Sequence, residues 1–199
     1  MSKKKNRQQS KREQFTRSSK SRLPLLIALL ILAVAGVGGT VLLAGNGDNP
    51  VVDSPFGEPV AGSRSYVGRT VRMTPIEPAV ESGRVSIPLE QLESYEMVSF
   101  EIENSEGFPV PLMAYITPSG RVFTGSSMCE PCQGRAFFLA GETLVCDTCR
   151  TTYTIESHEY LSGSLDCGSY PPVYMQPSIE NGMVSIDLED ILQWRIRTY

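Results

Sequence analysis

The chain has 199 residues, of which 41% are hydrophobic, 20% charged and 8% aromatic, a balance that excludes a wholly disordered protein. Its net charge of −4 averages two opposite regions: residues 1–22 hold nine of the 18 basic residues and one acid, Glu13, while residues 46–199 hold nine arginines against 21 acids. A folded part with that balance excludes nucleic acid as its partner, because such binding needs a concentrated basic face.

In chain order, the basic tail at 1–22 leads into Leu25 to Ala44, twenty residues without a charge. At 1.5 Å per residue a helix of that length spans about 30 Å, the thickness of a bilayer core. Segment 23–45 is therefore read as one transmembrane helix, with the membrane bilayer as the first partner. The Lys- and Arg-rich flank stays in the cytoplasm by the positive-inside rule. The C-terminal part then stands outside the cell membrane. The apolar run exceeds that of a cleaved signal peptide, so the anchor is expected to remain. Residues 46–82, rich in Gly, Pro, Ser and Val, read as a linker with one short strand near Tyr66–Met73.

The folded domain is placed at 83–199. Val85, Ile87 and Leu89 alternate with polar residues, as do Val98-Phe100-Ile102, Val110-Leu112-Ala114-Ile116 and Val122-Thr124, with turn signals at Asn104–Gly107 and Pro118-Ser119-Gly120. Alternation of this kind predicts half-buried strands. Strands at about ten-residue spacing without an amphipathic helical pattern predict a mainly β domain, a small sandwich or barrel-like body. One internal echo stands out. Gly83–Glu90 recurs as Gly182–Glu189 with six of eight positions identical, which suggests either a common strand-turn pattern or two equivalent edges of one sheet. Both copies read as packing residues.

All five cysteines lie in this domain: Cys129 and Cys132, then Cys146 and Cys149, then Cys167. Each C-x2-C pair curls into a knuckle that aims two sulfurs at one point, and a hairpin over Ala136–Val145 brings the knuckles together. Gly134, after the first knuckle, is expected to take a positive φ. Four converging thiolates suit zinc, a single iron or an iron–sulfur cluster. Disulfides are the alternative in an oxidising compartment. An odd cysteine count speaks against full pairing. Cys167, in a turn-rich stretch, reads as a fifth, alternative metal ligand or a free thiol beneath the site.

Other candidates read as structural. His158 is the single histidine, too few for a Rieske centre, and neither C-x2-C is followed by the histidine of c-type haem attachment. Met113, Met128 and Met175 offer soft sulfur for copper but read as core filling. Glu90, Glu93, Glu96, Glu101, Glu103 and Glu106 read as a solvated face. No phosphate-binding loop, hydrolase serine motif or small-molecule substrate site is indicated.

The ordered series Ser119-Gly120-Arg121-Val122, Cys129-Glu130-Pro131-Cys132, Leu144-Val145-Cys146-Asp147-Thr148-Cys149, Thr152-Tyr153 and Cys167 ahead of Pro171-Pro172, closed by Val184–Leu188, resembles the membrane-anchored iron–sulfur (FtrD-like) family associated with bacterial iron uptake. The segment from Gly83 to Tyr199 carries the resemblance. It departs in Leu165-Asp166-Cys167-Gly168, where the family tends to have Gly-Gly-Cys followed closely by Pro. The resemblance implies that the cysteines bind an iron–sulfur centre outside the membrane. It also implies electron transfer during iron import beside a membrane iron-uptake permease or other redox partner. That describes an electron-transfer or metal-binding protein rather than an enzyme. A structural zinc-ribbon interaction module uses the same four cysteines. A thiol–disulfide protein ranks last, since Glu130 and Asp147 beside the thiols would raise their pKa.

Overall fold

The structure is a computed structural model and describes residues 54–197. The basic tail and the anchor read at 23–45 lie outside the described residues. Among those described, no helix is long and apolar enough to cross a membrane.

Among the described residues, thirteen strands and three short helices follow in order: β1 (Thr70–Arg72), β2 (Thr74–Pro75), β3 (Ala79–Glu81), β4 (Arg84–Pro88), α1 (Leu89–Tyr95), β5 (Met97–Glu103), β6 (Pro109–Ile116), β7 (Val122–Ser126), β8 (Phe137–Ala140), β9 (Thr143–Cys146), β10 (Thr152–Thr154), β11 (Tyr160–Ser162), α2 (Leu165–Gly168), β12 (Ser178–Glu180), β13 (Met183–Asp187) and α3 (Leu188–Gln193). They form three sheets, ordered β1-β8-β9-β10-β11, β12-β13-β4-β3 and β2-β5-β6-β7. Every pairing is antiparallel except β2 with β5.

The alternation along β6 predicted one buried face, yet both are buried from Val110 to Ile116. Val110 and Leu112 pack with Val85 and Ile186, and Ala114 and Ile116 with Ile87 and Val184. Between them, Met113 and Tyr115 point the opposite way, into the core that holds Cys129, Cys146 and Cys167. Successive residues of a strand face opposite sides. The sheet containing β6 is therefore a middle layer between the cysteine-bearing sheet and the sheet of β4 and β13. The expected sandwich or barrel-like body becomes three stacked sheets, none of which closes into a barrel.

The linker expected at 46–82 is corrected from Ser54 onward. Phe56, Tyr66 and Val71 are buried in the cysteine-side core. The Tyr66 hydroxyl donates to the Ile116 carbonyl at 2.6 Å, and β1 pairs with β8. Backbone N–H groups of Val60, Ala61 and Arg64 donate to the carbonyls of Gly120 and Pro118. From Ser54 to Arg69 this segment docks as irregular chain, held by Phe56 and Tyr66, which no periodicity announces, and from Thr70 it continues into β1, β2 and β3.

The internal echo proves to be one structure built twice. Strands β4 and β13 are the central pair of their sheet rather than its edges, with Ser86 opposite Ser185 and their hydroxyls 2.8 Å apart. Each strand belongs to a hairpin turning at Ser82-Gly83 or Asn181-Gly182, with φ of 53° and 75° in one and 52° and 74° in the other. Two consecutive positive φ values define the tight hairpin turn that glycine permits. Each copy continues into a helix whose first N–H donates to the opposite turn: Leu89 to the Gly182 carbonyl at 2.8 Å and Leu188 to the Gly83 carbonyl at 2.9 Å. The two copies thus clasp each other about a local twofold axis.

Candidate metal centre

The hairpin read at Ala136–Val145 is β8–β9, and its register sets the site. Phe137 lies opposite Cys146. The Asp147 N–H then donates to the Ala136 carbonyl at 2.9 Å, so the second knuckle leaves the ladder beside the first. In the first knuckle, Cys129 N–H donates to the Gly134 carbonyl at 2.8 Å; in the second, Arg150 N–H donates to the Cys146 carbonyl at 3.0 Å and Cys146 N–H to the Thr151 carbonyl at 2.9 Å. The left-handed residue falls directly after the second cysteine of each pair, at Gln133 (φ 57°) and Arg150 (φ 61°). The positive φ expected at Gly134 is thereby moved one residue. Gly134 is demanded by space instead: a Cβ there would stand 2.7 Å from Thr148 Oγ1 and 3.0 Å from Cys146 Sγ.

The four sulfurs of Cys129, Cys132, Cys146 and Cys149 lie within 4.8 Å of one another. Across the knuckles, Cys129 Sγ is 3.7 Å from Cys149 Sγ and Cys132 Sγ is 3.8 Å from Cys146 Sγ. A tetrahedron of thiolates about one ion, with bonds of about 2.3 Å, has edges of about 3.8 Å. No disulfide joins any of the five cysteines. Cys129 and Cys146 are buried while Cys132 and Cys149 are partly exposed, so each knuckle gives one inner and one outer sulfur.

The crowding is legible in the protonation states. The hydrogen bond from the Cys129 thiol, against the opposing effect of burial, brings the Cys146 pKa down to about 5; backbone N–H groups of Cys149 and Thr148 add to it. Cys129, donating that proton and buried, is pushed far up. Burial raises Cys132 to about 12. A bound cation supplies the charge that lets these thiols ionise, with release of protons.

Cys167 sits on the single turn of α2, where Ser164 Oγ accepts its N–H and the Tyr153 hydroxyl donates to its carbonyl at 2.6 Å. Its thiol meets Cys129, Cys149 and Cys132. Burial disfavours its thiolate, but hydrogen bonds from these thiols and from Ser164 outweigh that and lower its pKa. It stands outside the set of four mutually close sulfurs. Phe137 and Tyr153 share its core.

Both acids inside the knuckles are captured by arginines. Glu130, with no exposed side-chain surface, accepts from Arg197. Asp147 pairs with Arg72 at 3.4 Å and Arg150 at 3.1 Å, and both guanidinium groups lie over the Phe138 ring. These acids therefore burden the thiols less than their positions suggest, because arginines balance their charges. Arg197 and Arg72 escaped sequence reading because each is distant in sequence from the acid it meets.

The remaining candidates behave structurally. His158 is buried among Phe56, Tyr115, Phe123 and Tyr153, with its Nε2 2.7 Å from the Tyr115 hydroxyl. Met113, Met128 and Met175 are core residues. Four of the six glutamates form ion pairs, with Arg64, Arg69, Arg135 and Arg195.

The all-thiolate, half-buried donor set fits an iron–sulfur cluster or a single thiophilic ion. Neither the curated proteins nor the solved structures offer a match to this chain. The family described as "Membrane iron-sulfur containing protein FtrD-like" matches residues 74–197, more than half of the sequence and all of the cysteines. The chain belongs to this FtrD-like family of membrane iron–sulfur containing proteins.

Proposed function

We propose that the protein is an extracytoplasmic one-electron carrier, held at the cell membrane by the segment at 23–45 and working beside a membrane iron-uptake permease or another redox partner. The observation that carries this reading is the convergence of Cys129, Cys132, Cys146 and Cys149 within 4.8 Å in a chain of an iron–sulfur family. Those four thiolates would hold the centre, and Cys167 on α2 lies in the same core. Bound there, an iron–sulfur centre takes up and returns one electron at a time. The protein supplies the rest. Phe137 and Tyr153 exclude water from the inner side. The partly exposed Cys132 and Cys149 set the outer side close to a docking partner, so an electron need not cross the whole domain.

A structural zinc site is the second reading, favoured by sulfur separations that match the tetrahedron of one ion. Full-length protein, purified in detergent without oxygen, separates the two by iron, zinc and acid-labile sulfide analysis with visible and EPR spectra. Iron with a reversibly reducible chromophore is expected. It should vanish in Cys129→Ser or Cys146→Ser and survive with an altered spectrum in Cys167→Ser. One colourless zinc per chain would overturn the electron-carrier reading.

A further inference from the structure

The C-terminal segment reaches back into the metal centre through one side chain. Arg197 Nε donates to both Glu130 oxygens, at 3.0 and 2.9 Å, and its backbone N–H donates to one of them at 3.0 Å. Its Nη2 donates to the Pro171 carbonyl at 2.6 Å, and the guanidinium lies 5.3 Å over the Tyr170 ring. Glu130 is the second residue of the first knuckle. Tyr170 and Pro171 follow Cys167 closely in the chain. One guanidinium therefore joins the loop that carries Cys129 and Cys132 to the loop that carries Cys167, and it neutralises a carboxylate that has no access to water. The second knuckle has nothing equivalent: Asp147 and its two arginines are all substantially exposed, and exposed pairs hold geometry weakly.

Resting on the metal-centre reading above, we propose that Arg197 is a positioning residue for that centre: it straps the first knuckle and the Cys167 loop together, slows loss of the metal and offsets the charge of Glu130. Loss of the guanidinium leaves a buried carboxylate with no counter-charge and unties the two loops, while the backbone N–H bond of residue 197 survives substitution. Loss of the carboxylate unties them as well, but removes a negative charge instead of exposing one. Release therefore quickens in both changes, while the potential moves in opposite directions. A merely structural role predicts no such divergence.

The test uses the full-length, iron-loaded protein in detergent, with release followed under excess chelator and midpoint potential by redox titration. Arg197→Met is expected to release iron at least ten times faster than wild type and to lower the potential. Glu130→Gln is expected to release it faster but to raise the potential. Arg197→Lys, which keeps the charge without the two-point grip, should fall between wild type and Arg197→Met in release and stay near wild type in potential. Arg72→Met should release within twofold of wild type. Wild-type release rates in Arg197→Met, or potentials that move the same way in Arg197→Met and Glu130→Gln, would overturn the proposal. If Arg197→Met does not fold, Arg197→Lys decides, and wild-type release from it overturns the strap. If the resident metal is zinc, zinc release decides alone; a wild-type chain that binds neither metal overturns the centre and the strap together.

Discussion

Mild acid should destabilise this protein through a histidine that touches no metal ligand. His158 is 7% exposed and packed among aromatic rings, and burial holds its pKa at about 3 against an ordinary 6.5. A ring held neutral in the folded state and free to protonate in the unfolded state makes stability fall with pH. The contribution is complete above about 6.5 and is lost progressively as pH drops toward 3, at about 1.4 kcal/mol per unit. Between pH 8 and pH 5 that amounts to about 2 kcal/mol. For a domain of this size the melting temperature should drop by roughly 4–8 °C. The comparison is His158→Asn, which tolerates the left-handed backbone found there (φ 58°) and keeps one donor and one acceptor without titrating. Circular dichroism melts of both full-length proteins at pH 8, 7, 6 and 5 read the difference. Acid also strips thiolate-bound metal, but that affects both proteins alike. Wild type should lose about 2 kcal/mol more than the variant over this range; parallel pH slopes would refute the reasoning.

Two further outcomes test how the body and the knuckles are held. Phe56→Ala removes a ring packed 5.1 Å from Phe123, His158 and Tyr174, and should cost about 3–5 kcal/mol in urea unfolding; a cost under about 1 kcal/mol would return this segment to the status of a linker. Gly134→Ala drives a methyl group into Thr148 and Cys146, so metal content per chain, read by elemental analysis, should fall by at least half, with unchanged content showing that the knuckles have room to part.

The cysteine centre was legible because its chemistry is local. Two residues between cysteines dictate a knuckle, and Phe137 to Cys146 is short enough to be a hairpin by pattern alone. Strands β4, β5, β6 and β13 were legible by period, since each presents apolar residues to a neighbour on alternate positions. Burial of β6 on its second face was not, because Pro111, Met113 and Tyr115 interrupt no pattern and acquire their partners from strands distant in sequence. The docking of 54–69 depends on single aromatic anchors in irregular chain, which carry no periodic signal. Arg197 is 67 residues from Glu130, and charge pairing at that separation is set by the fold alone. The repeat was visible as eight residues, but its meaning lay in the pairing of each copy with the other.

That pairing also governs how the chain closes. Strands β4 and β13 bracket an excursion of roughly a hundred residues in which every cysteine lies, so the clasp must form against the closure entropy of a long loop, a slow kind of contact. A metal bound within the excursion ties Cys129 to Cys149, twenty residues apart. Shortening a hundred-residue loop by that much eases closure by only about 0.2 kcal/mol. Loop entropy therefore couples clasp and metal only weakly: chain shortening by the bound metal does little to help the two hairpins meet.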